Sequence, residues 1–208
     1  MRQKILPSIM AESQKDMNAL FKKLEGVVTY LHLDVADGKF VPSHSLDFPL
    51  RLSSKFSYNA HLMMQNPKEW IEKYGNKMDV CIPQVEVIDD VPGYISWMKE
   101  RKLKVGLALK PETPVSSVQE YLQDVDTVLI LTVHPGYYGA KYLRGPLRKI
   151  QQIKKVNPNI EVIVDGGMQP GTIKSAADAG ADYFVSGSYV TKSENPKKAI
   201  KTLLTALR

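Results

Sequence analysis

The most constraining feature of the sequence is a set of eight short segments, rich in Val, Ile, Leu and Tyr, that recur along its whole length. Their starts lie 20 to 34 residues apart, which is enough for a strand, a helix and two loops in each repeat. The predicted strands cover residues 4–10, 30–37, 58–64, 78–86, 104–110, 127–133, 161–167 and 183–188. Alternation of strand and helix indicates a parallel sheet, and eight repeats favour a closed (β/α)8 TIM barrel over an open doubly wound sheet.

The stretches between these strands carry helical patterns with recognisable start and stop residues. Ser13 is a suitable N-terminal cap for a helix over 14–25, and Pro67 suits the first turn of a helix over 68–74. Other helices are predicted over 115–123, 147–156 and 171–179. Pro146 marks a separate turn before the helix over 147–156, and Gly180 ends the helix over 171–179. Residues 45–55 are only weakly patterned. No linker interrupts the 208 residues, so we assign 1–208 to one domain.

Composition and charge exclude several classes of protein. With 43% hydrophobic and 24% charged residues, disorder is not expected, and the single cysteine, Cys81, is interpreted as a small buried residue in a strand. The formal charge is +6, and much of the excess lies in 141–155 and 196–208, both expected to be helical. Basic and apolar residues alternate there at helical spacing without an aromatic platform, so solvated helix faces are favoured over a nucleic-acid surface.

The N-terminal residues carry no apolar stretch of the length of a signal peptide, and no run approaches a membrane span. We therefore expect a cytoplasmic protein with no membrane partner. A modest positive field would help to attract an anionic metabolite.

Two imidazoles and two carboxylates lie at or near the ends of three predicted strands. His32 and Asp34 are two residues apart in strand two and therefore share a face, while His61 lies in strand three and Asp165 in strand seven. In a barrel of this kind, reacting groups gather at the C-terminal strand ends. Nitrogen and oxygen ligands together suit one divalent cation, whether zinc, iron(II), manganese or cobalt. The two aspartates also supply two candidate proton carriers.

Each of these residues, taken alone, has a purely structural explanation. A histidine in a strand is more often hydrogen-bonded in the core or at the rim than bound to a metal, and either aspartate would serve a turn or cap the following helix. The joint arrangement, four ligand-type residues at equivalent barrel heights, is what indicates a site.

Three glycine-containing loops follow strands six, seven and eight. Glycine allows the backbone to approach an anion closely, and barrels often bind phosphate between loops seven and eight, although loop glycines are common. Lys141 and Arg144 follow the sixth loop and are weaker candidates for phosphate contact. The loop residues concerned are Gly136, Tyr137, Tyr138, Gly139, Gly166, Gly167, Gly187 and Ser188.

Six motifs occur in order along the chain: LPSIM at 6–10, HLDVADGKFVP at 32–42, HLMM at 61–64, TVHPG at 132–136, VDGG at 164–167 and SGS at 186–188. Together they resemble the motifs of the ribulose-phosphate 3-epimerase family. The resemblance implies that His32, Asp34, His61 and Asp165 bind one divalent metal and that the two aspartates form the acid/base pair. It also assigns the three glycine loops to the substrate phosphate, assigns Ser8 and His61 to substrate contact, and implies a homo-oligomer.

The chain departs from the family pattern at several positions around the expected substrate. The sixth loop, usually GFGGQ, has Tyr138 and Ala140 at its third and fifth places. Other usual family residues are replaced by Ala36 and Leu131 (each for Met), Ser43 (for Asn) and Gln84 (for His). The acid/base and metal set is complete, so the type of reaction is better supported than the identity of the substrate.

Inversion at C3 of a ketose phosphate requires proton removal on one face and delivery on the other, which two carboxylates on separate strands allow. A metal on the C2 and C3 oxygens would stabilise the developing ene-diolate as a Lewis acid. The main hypothesis is interconversion of D-ribulose 5-phosphate and D-xylulose 5-phosphate. Alternatives are a ketohexose 6-phosphate such as allulose 6-phosphate, for which Ala36 leaves space, a metal-free phosphate-binding isomerase or synthase, and a catalytically silent barrel that binds a sugar phosphate.

Overall fold

The computed structural model describes residues 3–136 and 140–207, which form a (β/α)8 TIM barrel as the repeat spacing predicts. Its strands lie within or close to the eight predicted segments, with one additional short strand. They are β1 (Ile5–Leu6), β2 (Ser8–Ile9), β3 (Tyr30–Asp37), β4 (His44–Ser45), β5 (Ser57–Met63), β6 (Val80–Pro83), β7 (Gly106–Leu109), β8 (Thr127–Leu131), β9 (Glu161–Asp165) and β10 (Tyr183–Val185).

Parallel pairing joins the strands into two ladders, β2-β3-β5-β6 and β7-β8-β9-β10-β1. The ladders meet at Pro7, which separates β1 from β2 because proline has no N–H to donate, and at two bridges, Cys81 with Val105 and Gln84 with Ala108. Eight strand positions therefore follow one another in sequence order. The added strand β4 pairs antiparallel with the end of β3.

Helices lie between most successive strand positions, and their ends match most of the predicted signals. Ser13 caps the first helix by accepting a hydrogen bond from the N–H of Asp16, and Pro67 occupies the first turn of the second. The α-helices are α1 (Gln14–Leu24), α2 (Pro67–Tyr74), α3 (Val91–Glu100), α4 (Arg148–Val156), α5 (Ile173–Asp178), α6 (Ser188–Thr191) and α7 (Pro196–Ala206).

The helix prediction over 115–123 was wrong. Residues 115–123 form two short 3-10 helices, Val115–Ser117 and Gln119–Tyr121, because Ser117 Oγ donates to the Pro114 carbonyl and competes with helical pairing. The predicted helix over 147–156 is confirmed: α4 begins at Arg148, after the separate turn that contains Pro146, so only the first part of the stretch 141–155 lies outside a helix. The weakly patterned segment 45–55 has no helix.

The apolar core has two layers, separated by the strands. Cys81 belongs to the larger layer between strands and helices, where it is buried as predicted. The inner layer fills the barrel with residues such as Leu6, Ile82, Leu129 and Ile163. Alternate residues of each strand face inward, so polar side chains that continue this inward series toward the carboxyl ends of the strands reach the mouth of the barrel.

Candidate active site

The inward-facing series brings His32, Asp34, His61 and Asp165 together at the mouth of the barrel. Asp34 and His61 are direct cross-strand neighbours on β3 and β5. Asp165 ends β9, on the other side of the ring. Each of the four offers one ligand-type atom, and these atoms all lie within 4.8 Å of one another. The structure therefore gathers the four residues that the sequence analysis singled out.

The imidazole of His61 lies between the two carboxylates. Its Nδ1 atom is 3.4 Å from Asp34 Oδ1 and 3.4 Å from Asp165 Oδ2. On the other side of Asp34, His32 Nε2 lies 3.2 Å from the same Oδ1. Both imidazoles are fully buried, so their interactions with the carboxylates are only weakly screened by water.

Two amide side chains contact the outer nitrogens of these imidazoles. Asn59 Oδ1 lies 2.7 Å from His32 Nδ1 and can accept a hydrogen bond from an N–H at that position. In that tautomer, Nε2 of His32 keeps a lone pair toward Asp34. Gln84 Nε2 lies 2.6 Å from His61 Nε2. Asn59 was not among the residues predicted from the sequence, and Gln84 was noted only as a departure from the family pattern. Asn59 is two residues before His61, and this spacing in a strand is the signal that could have identified it.

The shifted pKa values show that the cluster favours positive charge between its carboxylates. Burial alone would raise the pKa of Asp34, but the His32 and His61 imidazoles outweigh it and hold that pKa well below its usual range. Burial alone would lower the pKa of His61, but the Asp165 and Asp34 carboxylates outweigh it and raise the pKa of His61 to about 9.

The arrangement fits a divalent cation. His32 Nε2, Asp34 Oδ1 and His61 Nδ1 are buried, and none makes a hydrogen bond of acceptable geometry within the described part of the chain. Buried polar atoms without partners are rare in folded proteins, and three of them point toward one another here. Two nitrogens with two carboxylates match the donors that zinc and neighbouring transition metals accept.

A cavity of about 140 Å³ extends from the two aspartates toward the loops after the strands. Its lining includes residues that the sequence analysis assigned to substrate, namely Ser8, Gly136, Gly166, Gly167, Gly187 and Ser188. Tyr137, Tyr138 and Gly139, also assigned there, lie outside the described residues. Met63, Leu131 and Ser43 contribute to the lining as well.

Several other candidates lie away from this cavity. Lys141 and Arg144 are exposed and do not line it. His44 pairs with Asp47 at the surface, and His134 pairs with Glu112.

Ala36, where the smaller side chain is expected to leave space, is not part of the cavity lining. It is fully buried and belongs to a cluster with Val41 and Met63, with Phe40 against them.

Comparison with known proteins identifies the family. The model of the ribulose-phosphate 3 epimerase family matches residues 4–191. The chain belongs to the ribulose-phosphate 3-epimerase family. Relatives named ribulose-phosphate 3-epimerase include a cytoplasmic isoform from Oryza sativa subsp. japonica, 31% identical over 96% of this chain and 92% of its own length, and a protein from Bacillus subtilis, 31% identical over 96% and 97%. The family is one of isomerases that act on carbohydrates.

Solved structures with the same fold are more distant in sequence. KGPDC from Streptococcus mutans superimposes with a TM-score of 0.70 at 11% identity, covering 98% of this chain and 96% of its own. The 3-hexulose-6-phosphate synthase from Salmonella typhimurium gives 0.65 at 15% identity and covers 98% of each chain. At these identities the likeness supports the barrel fold alone.

Proposed function

We propose that this member of the family is a metal-dependent 3-epimerase that interconverts D-ribulose 5-phosphate and D-xylulose 5-phosphate. The observation that carries the proposal is the position of His61 Nδ1, 3.4 Å from a carboxylate oxygen of both Asp34 and Asp165. These two acids come from strands three places apart around the barrel, and they line one cavity. A ketose held between them would expose the two faces of C3 to different carboxylates.

Asp34 and Asp165 are the proposed catalytic residues. One carboxylate removes the C3 proton, and the other, in its protonated form, delivers a proton to the opposite face, which inverts the configuration. A single base would return the proton to the face it left. In the reverse reaction the two aspartates exchange roles.

His32, Asp34, His61 and Asp165 would hold the cation, either zinc, iron(II), manganese or cobalt. When bound, it supplies Lewis-acid stabilisation of the negative charge that develops on the substrate oxygens. The residues themselves provide the buried, low-dielectric surroundings in which this stabilisation is large. Asn59 keeps the His32 ring in the tautomer that this role needs.

The glycine loops are the proposed phosphate site. Gly166, Gly167 and Gly187 line the cavity beyond the aspartates, where backbone N–H groups can approach an anion without interference from a Cβ. The proposed contacts also include Ser8, Gly136 and Ser188, together with Tyr137, Tyr138 and Gly139 outside the described residues. The proposed catalytic and phosphate-binding groups thus line one cavity.

The pentose substrate is favoured over a ketohexose 6-phosphate such as allulose 6-phosphate, because Ala36, where space for the longer substrate was expected, is fully buried and does not line the cavity. The test is an epimerisation assay that compares ribulose 5-phosphate with allulose 6-phosphate, each with zinc, manganese and iron(II). We expect preferential turnover of the pentose. Preference for the hexose would contradict the proposed substrate.

A metal-free isomerase or synthase and a silent sugar-phosphate-binding barrel remain the alternatives to be tested. Neither needs four ligand-type atoms to converge within 4.8 Å, as they do here. Metal analysis of the purified protein, with assays before and after chelation, separates the three. Turnover without any metal would support the first alternative, and tight sugar-phosphate binding without turnover would support the second.

Three wider features complete the proposal. Residues 1–208 are proposed to form one domain, and the protein is proposed to act in the cytoplasm as a homo-oligomer on a small sugar phosphate. The name of the rice relative, a cytoplasmic isoform, supports the location. Within 3–136 and 140–207, none of the helices combines the length and hydrophobicity needed to cross a bilayer.

A further inference from the structure

The contact between Gln84 and His61 is inconsistent with metal binding as its atoms are now arranged. Gln84 Nε2, an amide nitrogen that can only donate, lies 2.6 Å from His61 Nε2. His61 Nε2 must then accept, which in the neutral ring puts the proton on Nδ1. A protonated Nδ1 cannot bind a cation, yet Nδ1 is the atom that faces Asp34 and Asp165.

Rotation of the Gln84 amide by half a turn removes this conflict. The amide oxygen, Oε1, is buried and has no hydrogen-bond partner among the described residues. Rotation would exchange Oε1 with Nε2, so that Oε1 accepts the Nε2–H of His61 and Nδ1 keeps a lone pair. The number of hydrogen bonds is the same in both orientations, but only the rotated one leaves Nδ1 able to bind a cation.

The neighbouring imidazole already has this arrangement. Asn59 Oδ1 lies 2.7 Å from His32 Nδ1, and the opposite nitrogen of that ring, Nε2, points into the cluster. Asn59 and Gln84 are both fully buried. Each histidine therefore has one nitrogen toward the cluster and one toward a buried amide, and only the orientation of the Gln84 amide differs.

Gln84 is held where it can fulfil this function. It follows β6 directly, and its backbone forms a bridge with Ala108 of β7. It is two residues after Ile82, which belongs to the inner layer of the barrel, so its side chain continues the inward-facing series.

We propose that Gln84 is a positioning residue for the cation: its side-chain oxygen accepts the Nε2–H of His61 and keeps Nδ1 free of a proton toward Asp34 and Asp165. This inference rests on the metal site of the proposed function and adds the residue that selects the histidine tautomer. Partners of this kind in metal sites typically change metal affinity about 10- to 100-fold when they are removed.

The test measures zinc affinity by titration of the metal-free protein and its variants. Gln84→Met keeps the length of the side chain but removes the acceptor, and we expect zinc to bind about 10- to 100-fold more weakly. Gln84→Glu can only accept, and we expect binding within about threefold of the wild type or tighter. Gln65→Met, at an exposed glutamine, is the matched control and should bind as the wild type does. Thermal unfolding of each metal-free variant verifies that the fold is retained.

Nitrogen-15 NMR of the histidine rings in the zinc-loaded wild type tests the tautomer without any substitution. We expect the proton of His61 on Nε2. A proton on Nδ1, unchanged affinity in Gln84→Met, or equal losses in Gln84→Met and Gln84→Glu would overturn the inference while leaving the metal site intact. Failure of the wild type to bind zinc or any other candidate metal would overturn the metal site itself, and the inference with it.

Discussion

The Nδ1 atom of His61 lies 3.4 Å from the Oδ2 atom of Asp165, although the strands that carry them, β5 and β9, do not pair with each other. The contact therefore crosses the mouth of the barrel. It places a titratable ring between two acids that come from different halves of the sheet.

Replacement of Asp165 by asparagine should abolish epimerisation while leaving the fold intact. Loss of a positioned acid or base typically reduces the rate about 10²- to 10⁴-fold, and loss of a metal ligand adds to this effect. With Asp34 intact, one epimer should still exchange its C3 proton with solvent deuterium without inversion. Assays of epimerisation and of deuterium incorporation, together with metal content, measure both effects.

The matched control for this variant is Asp178→Asn, at a surface residue paired with Lys174. Surface pairs of this kind contribute little to stability, so this variant should retain full activity. Full activity in Asp165→Asn would contradict the two-carboxylate mechanism.

Removal of the bound metal should stop the reaction and destabilise the protein. Ligand binding stabilises the folded state by about 2.7 kcal/mol at a free concentration of about 100 times Kd, and this contribution disappears on chelation. We expect a lower melting temperature and no turnover after chelation, with recovery of both when metal is returned. In His32→Gln the chelator should have little further effect, since one ligand is already lost. An active chelated enzyme would exclude the cation from the mechanism.

The metal-free protein should lose stability as the pH rises from about 6.5 to about 9. The His61 pKa is raised from its usual 6.5 to about 9 in the folded state, so its charge stabilises the fold fully below 6.5 and this contribution disappears as the pH rises through 9. The pKa of Asp34 is lowered in the folded state, so the contribution of its charge to stability is lost only when the pH falls into strong acid. Thermal unfolding across this pH range measures the effect.

The His61→Gln variant provides the comparison because it retains every other titrating group. One of these groups is the Cys81 thiol, and its burial raises the pKa of that thiol to about 12. The difference between wild type and variant should shrink between pH 6.5 and 9. A difference that does not change with pH would contradict the assignment.

Gly166→Ala should weaken both the fold and the binding of sugar phosphate. Gly166 has a φ of 111°, and an added Cβ would lie 2.6 Å from Val133 Cγ2 and 3.0 Å from the Val133 backbone nitrogen. Backbone strain of this kind costs about 1 to 3 kcal/mol, and relief of the clash would move the loop that lines the cavity. We expect a lower melting temperature and a raised KM.

Gly171→Ala is the control for this substitution, because an added Cβ there meets nothing within 4 Å among the described residues. This control should leave the melting temperature and the KM nearly unchanged. Equal effects of the two substitutions would show that the Gly166 loop has no special role.

Much of the site could be predicted from local sequence. The two-residue spacing of His32 and Asp34 placed both on one face of a strand, and the structure confirms that they share the barrel interior. Local signals failed where side chains compete with the backbone, as at Ser117, and where partners come from other strands. Gln84 contacts His61 although 23 residues separate them in the chain, and no local pattern predicts that pairing.

By itself, the sequence determined the repeat of strand and helix, the inward or outward direction of each strand residue, and the presence of a complete set of ligand-type side chains. These properties depend on spacing within one segment. Only the tertiary structure decided that His61 lies between Asp34 and Asp165, that an amide contacts the outer nitrogen of each imidazole, and that Ala36 is buried away from the cavity lining. The reason is physical: the register between strands and the closure of the barrel come from contacts between distant segments, which fix the height of each side chain.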